Sequence, residues 1–162
     1  MNETTLCYIE IGEKILMMHR TKKENDENKD KYVGLGGHFE EGETPEDCML
    51  REVREESGLT LTDYCYRGIV DFHSDVYGYE RMHLFTGNAP FQELPECGEG
   101  DLCLVSKEEL LSLDLWEGDR IFLRLLFENA PFFFLSLYYE GEDLTRALLN
   151  GKETNRDLWR KP

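Results

Sequence analysis

The stretch GHFEEGETPEDCMLREVREESGL, residues 37–59, decides how the rest of the chain is read. Its middle predicts a helix over Thr44 to Ser57, with both ends marked. Thr44 suits the N-cap, Pro45 the first helical position, and Asp47 the reciprocal half of a capping exchange. Glu46 and Asp47 complement the positive end of the helix dipole, and Gly58 suits a left-handed C-terminal cap. Cys48, Met49 and Val53 give the helix a modest apolar side, so it packs on another layer. Glu52, Glu55 and Glu56 stand at i, i+3 and i+4 and share one helical face. Like charges so close repel one another. Hard cations such as Mg²⁺ or Mn²⁺ take oxygen ligands and would remove that repulsion, and Mg²⁺ shares its coordination with substrate phosphates. A carboxylate helix behind a glycine-rich turn is therefore a seat for metal-assisted attack on a phosphoanhydride. For the three glutamates taken alone, the competing reading is a solvated acidic face.

Outward from this segment the pattern alternates between strands and helices. Leu6 to Ile11 and Ile15 to His19 read as a hairpin turning at residues 12–14. Thr21 to Lys31 has no apolar residue and reads as a surface loop. Tyr32 to Phe39 is short, apolar and glycine-rich. Downstream, Leu59 to His73 and Tyr79 to Thr86 predict long strands, Gly87 to Gly100 a loop, and Leu102 to Val105 a short strand. Ser106 opens a short helix over Lys107 to Leu113, and Asp119 to Glu128 predicts another with Ile121, Leu125 and Leu126 inward. Pro131 to Tyr139 is an aromatic strand that Leu144 to Leu149 can pair with across Gly141. The fold class is α/β (α+β), a layered sandwich. Residues 1–149 are expected to form a single domain. Residues 150–162 are expected as a polar, frayed tail in which only Trp159 can dock.

Composition narrows the function. The 162 residues carry 18 Lys and Arg against 34 Asp and Glu, a formal charge of −16. Residues 37–59 hold 8 acids and 2 bases, and residues 89–119 hold 9 acids and 1 base, so two acidic segments carry nearly all of it. Such a chain lacks the clustered Lys and Arg that nucleic-acid polymers require, yet it can meet phosphates through bound cations. No run of 18 apolar residues occurs, so no membrane span is expected. Cys7, Cys48, Cys65, Cys97 and Cys103 are scattered and odd in number, without a Cys-x-x-Cys pair. With a polar N-terminal segment, they point to reduced thiols in a cytoplasmic protein.

Gly37, Glu43, Arg51, Glu52, Val53, Glu55, Glu56, Gly58 and Leu59 stand in the spacing G-x5-E-x7-R-E-V-x-E-E-x-G-L. This segment resembles the Nudix box, with no departure at a defining position. The resemblance implies an α/β/α sandwich with a mixed central sheet and hydrolysis of a nucleoside diphosphate linked to another group, with Mg²⁺ (or Mn²⁺) as cofactor. By that resemblance Glu52, Glu55 and Glu56 are metal ligands, joined by a backbone carbonyl at Gly36 or Gly37. Glu43 and Arg51 brace the box, and Glu52 or Glu56 activates the attacking water.

More loosely, residues 3–149 are similar in layout to the 8-oxo-dGTP diphosphatases of the MutT type. Tyr32 to Gly37 forms their aromatic-x-Gly-apolar-Gly-Gly run. Glu99 stands before the Leu102 strand, where those enzymes hold a further acidic metal ligand or base. Leu115 to Asp119 resembles their tryptophan-containing base-recognition turn. By that resemblance Trp116 stacks on a purine and Asp119 meets its Watson–Crick edge, since matched polar partners reject a wrong base well. The competing reading makes Trp116 a core residue and Asp119 a helix N-cap. Tyr8, Leu6 and Phe72 are placed near this pocket by strand position. Three departures stand out. Val33 occupies the place of a base-binding Asn, Gly118 replaces one of two paired acids, and His38 takes a phosphate-contacting position where Lys is common. The expected activity is hydrolysis of oxidised purine nucleoside triphosphates to the monophosphate and pyrophosphate, by a monomer or homodimer. ADP-ribose or dinucleoside polyphosphate hydrolysis, and a non-catalytic nucleotide-sensing domain, are the alternatives.

Overall fold

Thr44 and Asp47 close a reciprocal cap: Thr44 Oγ1 accepts from the Asp47 N–H at 3.1 Å, and Asp47 Oδ2 accepts from the Thr44 N–H at 3.2 Å. Between this cap and Gly58, which is left-handed at φ 78°, runs helix α1 (Pro45–Ser57). Both ends lie where the local sequence requires them. The structure, a computed structural model, describes residues 2–20, 30–90 and 101–162.

Strands β1 (Glu3–Ile11) and β2 (Lys14–His19) form the expected hairpin. β3 (Tyr32–Val33), β4 (Asp63–Ser74), β5 (Gly78–Ala89) and β6 (Asp101–Ser106) follow around α1. Next come α2 (Lys107–Leu110), α3 (Glu117–Phe127), β7 (Phe133–Glu140), β8 (Asp143–Leu149) and β9 (Lys152–Glu153). Among the described residues the sheet order is β3-β2-β1-β5-β4-β7-β8-β9, with β6 also paired to β2. The sheet is mixed, because β1 runs parallel to β5 and β4 parallel to β7.

Alternation along β1 separates the layers. Cys7 and Ile9 join Phe85 under Met49 and Val53 of α1. Tyr8 points to the opposite side, into the larger cluster with Ile121, Phe122 and Leu126 of α3. The result is the α/β/α sandwich with a mixed central sheet. Some boundaries differ from expectation. β4 starts at Asp63, with Leu59 and Leu61 buried ahead of it as plugs beneath α1. The helix opened by Ser106 ends at Leu110, and α3 starts at Glu117, two residues early. Trp116 therefore holds the N-cap position, without a side-chain cap bond, and Asp119 is not the N-cap. Residues 21–29 and 91–100, including Glu99 and Cys97, lie outside the described residues. Among the described residues no helix is long and apolar enough to cross a membrane.

Trp159 docks as the sequence allows, but the tail around it is ordered rather than frayed. β9 pairs with β8, and a 3-10 turn, Arg156–Trp159, docks on α3. Arg124 Nε donates to the Leu158 carbonyl at 3.3 Å, Trp159 Nε1 donates to Thr154 Oγ1 at 3.2 Å, and the Trp159 ring is only 6% exposed. The signal is non-local: a tail that looks polar in sequence supplies backbone carbonyls to Arg120 and Arg124 of α3. Trp159→Ala should cost about 3 kcal/mol and lower Tm by roughly 10 °C, read by thermal denaturation.

Candidate active site

Arg51, on the solvent side of α1, gathers the box. Its guanidinium grips Glu43 through Nε to Oε2 at 2.7 Å and Nη2 to Oε1 at 2.9 Å. The same group reaches Glu52 Oε1 at 2.8 Å, Glu55 Oε2 at 3.2 Å and the His38 carbonyl at 3.0 Å. That fork holds the Glu43 carboxyl below the usual carboxylate range, chiefly by hydrogen bonding, and holds Arg51 firmly charged. Glu43 and Arg51 thus tie the helix to the loop that precedes it.

Glu56 lies on the same face, one turn further along. It is 6% exposed, and its Oε1 accepts from the Gly36 N–H at 2.9 Å. The glycines opposite are there for close approach. A Cβ on Gly36 would stand 1.9 Å from the Thr5 carbonyl oxygen, and one on Gly37 would stand 2.6 Å from the Glu52 carboxyl carbon. Among the described residues no three His, Cys, Asp or Glu side chains converge into a ready-made metal cluster. The reason is visible in the bonding: Arg51 draws Glu52 and Glu55 to itself while Glu56 turns to Gly36. The donor set nevertheless suits a hard divalent cation, with three carboxylates on one face against bare backbone.

The residues expected at the base divide. Trp116 and Asp119 come together at the start of α3. The Trp116 ring meets Tyr139 edge-on at 5.5 Å, and Lys31 Nζ sits 5.1 Å from its centroid. Asp119 is 5% exposed, and burial pushes its carboxyl up to about 7, against the pull of Arg120 and Lys31. Val33 does not join them. Strand alternation turns its side chain onto Met18 and Leu102, whereas Tyr32 beside it packs toward the α3 cluster. The base-facing reading of Val33 is therefore corrected. His38 is exposed, and its Nδ1 lies 3.1 Å from Asn2 Oδ1, a local contact at the box entrance. Tyr139 and Lys31 were not anticipated. In the sequence each is one of several like residues in an aromatic strand or a charged run, and only the fold singles it out.

One segment connects the two halves. Residues 34–37 run along β1, with Cys7 N bonded to Leu35 O at 2.6 Å and Thr5 N to Gly37 O at 2.9 Å. At one end, a Cβ on Gly34 would lie 3.2 Å from Tyr8 Cε1, next to the α3 cluster. At the other end sit Glu52 and Glu56. Three extended residues span about 10 Å, so a carboxylate face and an aromatic, carboxyl-bearing cluster flank one short strip of backbone.

A carboxylate helix braced by arginine on one face of an α/β/α sandwich is suited to hydrolysis assisted by a hard cation. The chain matches the NUDIX domain over residues 3–126; it belongs to that family and is a hydrolase. Members act on nucleotide substrates and generally use divalent metal ions. It is 31% identical over 104 residues to the oxidized purine nucleoside triphosphate hydrolase of Mus musculus, covering 63% of this chain and 66% of that one. It is 23% identical over 124 residues to the Nudix hydrolase YvcI of Bacillus subtilis, covering 74% and 75%. Among solved structures it is similar to a MutT protein from Bacillus halodurans, with TM-score 0.81, 20% identity, and 94% and 99% of the two chains covered. The NUDIX domain of Shewanella oneidensis NrtR, solved with ADP-ribose, gives TM-score 0.68 and 17% identity over 78% and 86%.

Proposed function

We propose that the chain is a divalent-cation-dependent nucleotide diphosphatase that acts on oxidised purine nucleoside triphosphates, with 8-oxo-dGTP as the type substrate. The observation that carries this reading is the strip of residues 34–37, which spans from the carboxylate face to the cluster of Trp116 and Asp119. A base seated at that cluster puts its phosphates at the box. The mouse relative, whose name states that it hydrolyses oxidised purine nucleoside triphosphates, supports the same reading.

In this proposal Glu52, Glu55 and Glu56 hold Mg²⁺, or Mn²⁺ in its place. Of the two glycine carbonyls, that of Gly37 already accepts from Thr5 N and from Cys48 Sγ at 3.6 Å, so Gly36 is the better donor. When bound, the cation supplies positive charge to the phosphates that the acidic site repels. Arg51, fixed by Glu43, orients Glu52. Glu52 or Glu56 accepts the proton of the attacking water as its oxygen bonds to phosphorus, and the pyrophosphate leaves. Trp116 stacks on the base, and Asp119 faces its polar edge. His38 stands near enough to the box to meet phosphate only if it leaves Asn2. Free Cys7, Cys48, Cys65 and Cys103 fit a cytoplasmic setting.

The test is product release with and without Mg²⁺ over 8-oxo-dGTP, dGTP, 2-hydroxy-dATP, ADP-ribose, NADH and diadenosine tetraphosphate. Highest kcat/KM on an oxidised purine triphosphate is expected; highest kcat/KM on ADP-ribose would replace this substrate assignment. Trp116→Ala should raise KM for 8-oxo-dGTP roughly 10- to 100-fold through lost stacking, with kcat little changed. An equal effect on every substrate would make Trp116 purely structural.

A further inference from the structure

Three polar groups come together beside the start of α3 without pairing to one another. The Tyr8 hydroxyl is buried and has no hydrogen-bond partner among the described residues. Tyr8 itself is 3% exposed, its ring fixed between Phe122, 6.1 Å away centroid to centroid, and the backbone at Gly34. Asp119 lies in the same electrostatic neighbourhood, yet no hydrogen bond joins its carboxyl to Tyr8. The third group is the Tyr139 hydroxyl, which accepts from the Gly118 N–H at 2.8 Å. No side chain fits at Gly118, since a Cβ there would stand 2.4 Å from Leu137 Cδ1 and 2.7 Å from the Tyr139 oxygen. The cluster therefore has one carboxyl where the similar enzymes have two, and tyrosines on either side of it.

A buried hydroxyl and a buried carboxylate are complementary and would bond if the fold let them touch. This fold keeps them apart: the Tyr8 ring is buried against Phe122, with one edge close to Gly34. Burial and the charge of Asp119 both hold the Tyr8 proton in place, so this hydroxyl is a donor. Unsatisfied buried groups are uncommon, and they concentrate at functional or strained sites. The available pattern is two acceptor oxygens on Asp119 beside one donor on Tyr8. A 2-amino-6-oxopurine presents the reverse along one edge: amino N–H, ring N–H, then carbonyl. A 6-aminopurine puts a bare ring nitrogen against the carboxylate instead.

We propose that the Tyr8 hydroxyl is a specificity-determining donor, held without a protein partner so that it can take the 6-carbonyl of a 2-amino-6-oxopurine whose two N–H donors face Asp119. This rests on the purine nucleotide reading above and names a residue that reads the base.

The test compares wild type and Tyr8→Phe on dGTP and 6-thio-dGTP, in which a larger and weaker sulfur acceptor replaces the 6-carbonyl oxygen, so the change in preference between the two proteins isolates the hydroxyl. Wild type should favour the oxo substrate by about 10- to 100-fold in kcat/KM, and Tyr8→Phe should lose most of that preference. The Tm of ligand-free Tyr8→Phe should equal or exceed wild type, because an unpaired buried hydroxyl is removed without changing the ring. An unchanged preference in an active Tyr8→Phe would overturn the role of Tyr8 and leave the diphosphatase reading standing. A lower Tm would overturn it too, by showing that the hydroxyl supports the fold. If wild type hydrolyses neither of these nor 8-oxo-dGTP, the purine reading falls and the inference falls with it; hydrolysis of 8-oxo-dGTP alone would overturn the role of Tyr8, because dGTP presents the same edge.

Discussion

Glu56→Gln should reduce turnover by ~10³-fold or more while leaving the fold intact. The two expectations separate because Glu56 does two jobs through different properties. Its shape and one carbonyl-type oxygen hold the Gly36 N–H at 2.9 Å, and glutamine retains both. Its negative charge, buried on the face shared with Glu52 and Glu55, is what a divalent cation would require, and glutamine lacks it. Tm should stay within about 2 °C of wild type, as for a near-isosteric change with its hydrogen bond kept. Mn²⁺ affinity, followed by titration without substrate, should weaken by about 10- to 100-fold. Glu41→Gln, an exposed acid in the neighbouring loop, serves as the control and should change neither quantity. Near-wild-type turnover with Glu56→Gln would sink the metal-ligand assignment. A collapse in Tm would show that the buried charge holds the box together.

The α1 helix was legible because everything that makes it is local: Thr44, Pro45, Asp47 and Gly58 act within one turn of themselves. Its partner across the box was legible too, since Glu43 and Arg51 are eight positions apart on a short loop and a helix. Pairings such as Glu3 with Arg81, or Gly68 with Phe133, are not written in any window of sequence. They follow from the sheet as a whole, and with them goes the burial of Asp119 where α3 packs on it. Trp116 and Asp119 were found by motif, but Tyr8 became informative only when its hydroxyl proved to lack a partner. Val33 went the other way. Its position in the motif suggested the base, and strand alternation placed it on Met18. The tail was misread for a related reason, because the arginines that receive it, Arg120 and Arg124, lie some 35 residues upstream.

Asp119→Asn should make the protein more stable at pH 8 and at least ~100-fold worse on guanine-type nucleotides. Burial lifts the Asp119 carboxyl from 3.8 to about 7, so between these values the folded chain keeps a proton that the unfolded chain has released. Stability contributed by this group is therefore full below about pH 4, falls as pH rises to about 7, and is flat above. At pH 8 the buried charge costs up to about 4 kcal/mol, which the neutral amide avoids. At pH 4 the variant and wild type should have nearly equal Tm. The groups facing the carboxyl are Tyr8 from β1, Tyr139 from β7, Arg120 beside it on α3, and Lys31 before β3. Both tyrosines are held protonated by burial, so a transition near pH 7 at this cluster belongs to Asp119. Binding reads the same group with the opposite preference. An ionised carboxylate accepts from both N–H donors of a guanine-type edge, whereas the protonated acid or the amide turns a donor against one of them. Wild-type kcat/KM on dGTP should thus fall as pH drops below 7 by more than that on ADP-ribose, and Asp119→Asn should lose the difference. Stability and selectivity then pull against each other at one atom pair. A variant less stable than wild type at pH 8, with its preference for guanine nucleotides intact, would show that Asp119 is a structural acid and that the base is read elsewhere.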